Sequence, residues 1–478
     1  MGDSDRLPAH LRALLEGAPE RLTSALSELR QEGAVPLKTG RMGRAFELSK
    51  LALKAGSHAV GQRVRGRPEP DGGAAMAVEL LKTFAKMRGL ALKVGQMLSY
   101  LDDVLPPDAQ RVLSLLQRDA SPLPWETIRP HLMREFGRPP EDMFAEFEPE
   151  PIAAASIGQV HRARLPNGTA VAVKVQYPGI DAAMQSDLQN ARFISLLKRM
   201  MFVNVEMSAL MKELETRFLD ECDYRKEADY QTAYGERFAG HPHIVVPEVH
   251  RGWSTQRVLT TTYYEGKSFH EWLKSEPSED DRQRVTQLFY RFYLGSLYLD
   301  GLFNCDPHPG NYLFLDDGRV VFLDYGCCRR FTQERLEQWI AMNKAVCDDD
   351  PARLHEVAVD VGFFAPGAKY DREAFRTLMR YLYQPYLKDE PFDFSGEHRP
   401  ETTFRAMFSQ NPNLFKLNMP ADAVFLNRIE FGLVSMLAKI GGKLNCHQYA
   451  TSYFQGIDPD WAEDPKRPRP PADVDGGA

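Results

Sequence analysis

The segment from Cys305 to Gly326 reads C-D-P-H-P-G-N-Y-L-F-L-D-D-G-R-V-V-F-L-D-Y-G and holds the residues best suited to chemistry. Asp306 is followed five positions later by Asn311, and a second acid, Asp324, opens a D-Y-G triplet. Between them lie an apolar run (Tyr312 to Leu315), a turn (Asp316, Asp317, Gly318) and a second apolar run (Val320 to Leu323), the pattern of a β-hairpin. Two carboxylates and an amide converging on one loop suit Mg²⁺, a hard cation that takes oxygen ligands and shares them with phosphates. Two solvated loops joined by a hairpin would carry the same residues, so the elements around them must decide.

Those elements begin near Trp125, where the chain turns β-rich. A-A-A-S-I-G-Q-V-H-R-A-R-L is followed by a Pro166-Asn167-Gly168 turn and then T-A-V-A-V-K-V-Q-Y, a second hairpin signal. Protein kinases hold a Gly-rich loop, a V-A-I-K strand, D-x-x-x-x-N, a hairpin and D-F-G in that order. Laid over Ala153 to Val160, the loop pattern gives Ala153, Ala155, Gly158 and Val160, so the first two glycines have become alanine. Lys174 then falls in V-A-V-K, where a kinase keeps the lysine that holds the α- and β-phosphates. Glu221, Asp223 and Glu227 read as acids of one amphipathic helix, with Glu227 the natural partner of Lys174. Ile244 to Val249 and Arg257 to Tyr264 read as strands, and T-T-T-Y-Y-E-G as a hinge before a helix starting near Ser268. Helical spacing marks Asp281 to Leu299 (stopped by Gly301), Glu334 to Val346, Pro351 to Val361, Arg372 to Tyr383 and Ala421 to Ile440. Far upstream, Ala75 to about Leu101 is a long helical pattern containing K-V-G-Q. Lys93 and Gln96, three apart, share a face there, and Gly95 admits a close backbone.

The whole chain bounds the reading. At 478 residues it exceeds one ordinary core, and 43% hydrophobic with 26% charged residues is the composition of a globular protein. A net charge of −7 with no long basic run argues against a nucleic-acid partner. Six cysteines without a C-x-x-C fit a reducing compartment. Asp3, Asp5, Glu16, Glu20 and Glu28 spoil a mitochondrial presequence, and no signal peptide is expected. The most apolar window, Ala423 to Ile440, is broken by Arg428, Glu430 and Lys439, so no transmembrane helix is expected either. The leucine-rich first 35 residues carry mixed charge, which favours packing on the protein over lying on a membrane.

Taken together, K-V-G-Q, A-A-A-S, V-A-V-K, E-C-D (Glu221 to Asp223), D-P-H-P-G-N and D-Y-G make this sequence resemble the AarF/ABC1/UbiB atypical kinases, whose eukaryotic members include the ADCK/Coq8 proteins. The resemblance covers about residues 75 to 440. It implies an α+β, two-lobed, protein-kinase-like fold with a helical N-terminal extension carrying the K-x-G-Q motif. The expected domains are an N-terminal helical segment (1–55), a linker (56–73), the K-x-G-Q extension (74–125), an N-lobe with a helical insertion (126–266), a helical C-lobe (267–458) and a disordered tail (459–478).

The resemblance further implies ATP and Mg²⁺ as cofactors. Asp306 would orient the attacking hydroxyl or water, Asn311 and Asp324 would hold the metal, and Lys174 with Glu227 the phosphates. The nucleotide is expected against Ala153, Ala154, Ala155 and Ser156. Adenine would stack beneath Val160 and Ala172, with backbone contacts from Thr262, Tyr263 and Tyr264. The K-x-G-Q helix would fold over the site, Lys93 and Gln96 meeting Glu221 and Asp223 where a peptide substrate would otherwise bind. Alanine at 153 and 155 puts methyl groups where glycine lets amides reach phosphates, so the γ-phosphate should be held differently. Pro307 and His308 follow Asp306 in place of the kinase lysine that neutralises the transferring phosphoryl group. The expected activity is ATP hydrolysis in support of ubiquinone or other isoprenoid-lipid metabolism, in the cytoplasm with a peripheral membrane contact and quinone-biosynthesis proteins as partners. A phosphotransferase acting on a protein or a small hydroxylated molecule, or a nucleotide-gated lipid-binding scaffold, remain open beside it.

Overall fold

The computed structural model describes residues 122–155, 157–182, 220–395, 411–413, 416–418 and 420–459. Lys93, Gln96, Ser156, the segments expected at 1–55 and 56–73, and nearly all of the extension and tail lie outside the described residues. Within these, the chain forms two units. The first takes in residues up to 222 together with 255–258, and the second most of the rest.

In the first unit, α1 (Trp125–Phe136) and α2 (Pro140–Met143) precede three antiparallel strands, β1 (Glu146–Ala154), β2 (Gly158–Arg164) and β3 (Ala170–Gln176). Alternation sets the faces of this sheet. Val171, Val173 and Val175 of β3 are fully buried, while Ala172 and Lys174 between them are half-exposed. The β2–β3 turn is the one expected at Pro166-Asn167-Gly168. Gly168 adopts φ +87° and the Asn167 side chain accepts from the Thr169 N–H at 3.0 Å. Gly158 is a glycine of necessity, because a Cβ there would lie 2.2 Å from the Val175 carbonyl oxygen. Buried Gln159 joins the chain ahead of α1 to the sheet by two bonds to the Leu123 backbone, at 2.8 and 3.1 Å.

The second unit opens with α3 (Tyr224–Arg237), then β4 (Ile244–Val245) and β5 (Val258–Thr262), whose first residue belongs to the first unit. After β6 (Lys267–Ser268), α4 (Phe269–Lys274) starts in a reciprocal cap between Ser268 and Glu271. The helix expected at Asp281 to Leu299 is three pieces: α5 (Glu279–Tyr290), a π-helical turn (Arg291–Gly295) and α6 (Ser296–Asp300), closed by Gly301 at φ +60°. β7 (Leu302–Asn304), β8 (Tyr312–Phe314), β9 (Val320–Phe322) and β10 (Cys328–Arg330) follow. β4, β9, β8 and β6 form one small sheet in that order, and β7 pairs with β10. α7 (Gln333–Cys347), α8 (Pro351–Val361) and α9 (Arg372–Leu382) complete the helical part with β11 (Phe392–Asp393), α10 (Ala421–Ile440), β12 (Lys443–Leu444) and α11 (Cys446–Phe454).

The core of this unit is aromatic. Phe292 stacks on Phe322 with ring centroids 3.7 Å apart, on Tyr234 at 4.9 Å and on Phe238 at 5.6 Å, while Tyr234 meets Tyr325 at 5.2 Å. This column joins α3 to the hairpin and to the central residue of D-Y-G. Among the described residues no helix is long and apolar enough to cross a membrane.

Candidate active site

Register brings part of the expected nucleotide surface together in the first unit. Ala153 pairs with Val160 across β1–β2, and Val160 with Lys174 across β2–β3. Opposed residues of antiparallel strands point the same way, so Ala153, Val160 and Lys174 share one face, joined by Ala172 two positions along β3. The Ala155 N–H donates to the Gly158 carbonyl at 2.8 Å, linking the end of β1 to the start of β2. Asp220 and Glu221 are helical, and the helix stops at Cys222 in this unit. The acids at 221, 223 and 227 do not share a helix. Asp223 is instead the N-cap of α3, accepting from the Arg225 backbone N–H, and its carboxyl is held low by the hydrogen-bonded Arg225 guanidinium.

In the second unit, Asp306, Asn311 and Asp324 converge around an asparagine that the sequence pattern did not flag. Asn304, 2% exposed, accepts from the Asp306 backbone N–H at 2.8 Å and donates to the Asp324 carbonyl at 2.7 Å. A backbone N–H can only donate and a carbonyl only accept, which fixes the orientation of the amide. Two backbone bonds run in parallel, from Cys305 N–H to the Cys327 carbonyl at 2.8 Å and from Leu323 N–H to the Asn311 carbonyl at 3.0 Å. The Asn311 amide nitrogen donates to the Asp306 carbonyl at 3.0 Å, which leaves its oxygen for another partner. Under the loop, the Tyr293 hydroxyl bonds that of Tyr312 and reaches the Asp306 carbonyl at 3.4 Å.

Acidic side chains gather where D-Y-G turns. Asp324 Oδ1 accepts from the Gly326 N–H at 2.8 Å. A Cβ on Gly326 would lie 3.3 Å from that oxygen and 3.5 Å from Glu227 Oε2, so both carboxylates flank this glycine. The thiol of Cys328 lies within their field. It is driven well above the ordinary range by burial first, then by Cys327 and the carboxylates of Asp324, Glu227 and Asp306. Carboxylates drawn this close call for positive charge. Among the described residues, no group of three or more His, Cys, Asp and Glu side chains could hold a metal alone. Asp324 and the Asn311 side-chain oxygen are donors of the kind taken by Mg²⁺, an ion that keeps waters and phosphate oxygens as its other ligands.

Two residues behave differently from a kinase's. His308 accepts from the Gly310 N–H through Nδ1 at 3.1 Å and so braces the turn at Pro309–Asn311. At the expected hinge, the Thr262 N–H is already committed to the Glu248 carbonyl at 2.9 Å, and its hydroxyl bonds His250. Backbone contacts to a base would therefore fall to Tyr263 and Tyr264, both half-buried.

Comparison with known proteins identifies the family. The sequence model of the ABC1 atypical kinase-like domain matches residues 115–358. The chain is 30% identical to the mitochondrial atypical kinase COQ8B of Rattus norvegicus, over 94% of this chain and 83% of that one. It is 26% identical to the mitochondrial atypical kinase COQ8 of Saccharomyces cerevisiae, over 87% and 85%. A solved structure of Rv3197 with erythromycin, from Mycobacterium tuberculosis, aligns with a TM-score of 0.57 at 24% identity, covering 81% of this chain and 97% of that one. That likeness speaks to the fold alone, which is the two-lobed, kinase-like α+β fold. The chain belongs to the ABC1 atypical kinase-like family.

Proposed function

We propose that this atypical kinase binds Mg-ATP and hydrolyses it slowly, in support of ubiquinone or other isoprenoid-lipid metabolism. The observation that carries the reading is the gathering of Asp324 and Glu227 at Gly326, with Asp306 tied to Asp324 through Asn304 and to Asn311 through the Asn311 amide. When bound, Mg²⁺ would neutralise phosphate charge and draw the terminal phosphoryl group into line. Asp324 and Asn311 supply oxygens to hold it. Asp306, fixed from below by Tyr293 and Asn304, orients the attacking hydroxyl or water and takes its proton. Lys174, with Glu227 as its counter-charge, is assigned to the α- and β-phosphates, and Val160 and Ala172 to the base.

The same residues argue for slow turnover. His308, tied to Gly310 through Nδ1, stands where a kinase's lysine would stabilise the transferring phosphoryl group. The occlusion of peptides by Lys93 and Gln96 against Glu221 and Asp223 belongs to this proposal and rests on the sequence motif. The link to quinone metabolism is drawn from the COQ8 relatives.

The test is Mg-ATP-dependent thermal stabilisation and phosphate release by wild type and Asp324→Asn. The wild type should be stabilised and release phosphate, and the variant should do neither while keeping its melting temperature without ligand. Undiminished stabilisation of Asp324→Asn would remove the metal assignment.

A further inference from the structure

α3 carries Glu227 near one end and Arg237 at the other, and the far end is held by a buried charge cluster unrelated to nucleotide chemistry. The Arg237 Nε donates to the Asp300 carboxylate, and its Nη2 lies 3.5 Å from Asp458 Oδ2. That oxygen also accepts from Arg291 Nε at 2.6 Å. These side chains are nearly out of solvent: 9% exposed for Arg237, 0% for Arg291 and 2% for Asp458. Both guanidinium groups lie over the ring of Phe238, the residue that ends α3, at 5.6 and 5.1 Å.

The local backbone is shaped to admit Arg291. Its π-helical turn runs to Gly295, where a Cβ would fall 2.6 Å from Arg291 Nη1. Neither Nη atom has a hydrogen-bond partner, so among the described residues Asp458 is the only hydrogen-bonding partner of this fully buried cation. A buried guanidinium with one hydrogen-bonding carboxylate depends strongly on that carboxylate.

We infer that Asp458, from the far end of the chain, is a positioning residue for the nucleotide site. It holds the last turn of α3 through Arg237 and, beneath Phe238, through Arg291. A helix is stiff over the ten residues, about 15 Å, from Arg237 back to Glu227, so the cluster fixes where the Glu227 carboxylate stands beside Gly326. Movement of α3 and binding of nucleotide thereby become sensitive to how the segment after α11 that carries Asp458 is seated. The link to nucleotide rests on the function proposed above.

The test uses the full chain and Asp458→Asn, with two measurements. Amide exchange in nucleotide-free protein should quicken about tenfold across Tyr224–Arg237 and stay unchanged in β1–β3. Affinity for Mg-ATP should fall about tenfold, rising in KM more than it falls in kcat. If Asp458→Asn does not fold, the paired substitution Arg291→Met with Asp458→Leu removes the buried charge and should give the same two results. Wild-type exchange in α3, exchange that quickens everywhere alike, or faster α3 exchange with unaltered affinity would each overturn the inference. A wild type that binds no Mg-ATP would sink the nucleotide reading instead, while exchange in α3 would still decide whether Asp458 holds the helix.

Discussion

Asn304 ties Asp306 to Asp324 through two backbone bonds made by one buried amide. Asp306, Asn311 and Asp324 are legible because each keeps a fixed distance from a turn, and turn chemistry is local. Asn304 sits in the short apolar run Leu302-Phe303-Asn304, and its role exists only once D-Y-G has folded back over the loop. Both its bonds go to backbone groups, so neither partner's residue type announces it. We expect Asn304→Leu, similar in size but unable to bond, to leave the Asp306 N–H and Asp324 carbonyl without partners. Each buried orphan costs about 1–3 kcal/mol. Phosphate release should fall at least tenfold while Asp306 and Asp324 remain in the chain. A variant with wild-type turnover would show that the backbone bonds from Cys305 and Leu323 suffice to set the loop. His308 was legible as a departure from the kinase lysine; its use as a brace for Gly310 was not, because that bond is made by the main chain.

Elements divide in the same way. Pro351–Val361 and Ala421–Ile440 lie where helical spacing and caps place them, and the turns at Gly168 and Gly318 where glycine is required for positive φ. Two interruptions were hidden. The acids at 221, 223 and 227 have helical spacing, yet Asp223 leaves the helix to cap it, since a short carboxylate competes for backbone N–H groups. The π-turn at Arg291–Gly295 inserts into a continuous helical pattern because room for the Arg291 side chain is a tertiary demand. Gly158 belongs to this scale as well. We predict that Gly158→Ala, forced against the Val175 carbonyl, costs about 3 kcal/mol. A melting temperature within a degree of wild type would show that β2 and β3 can part without loss.

At the scale of the molecule, the order of motifs carried the fold class because each motif marks a structural joint of the kinase scaffold. Packing of the helical part was not legible, since it depends on side chains brought together from α6 to α11. A cavity of about 50 Å³ lies there, walled by Leu294, Trp339, Phe375 and Met379, with Glu430 facing it. Burial pushes the Glu430 carboxyl up to about 7, partly offset by a hydrogen bond from Tyr386. The folded chain therefore holds a proton that the unfolded chain releases near pH 4.5, so stability declines as pH rises from there to about 7. Glu430→Gln should leave stability near pH 4.5 unchanged and raise it at pH 8, by on the order of 3 kcal/mol. Equal melting temperatures for the two proteins at pH 8 would place Glu430 in water rather than in this core.

The crowding of carboxylates around Cys328 bears on reactivity. Alkylation and oxidation both proceed through the thiolate, which this setting suppresses. The chain thus keeps a dormant nucleophile in β10, opposite Asn304 of β7, silent while Cys328 stays buried. Alkylation of Cys328 would time its exposure, two residues past D-Y-G, without any introduced label.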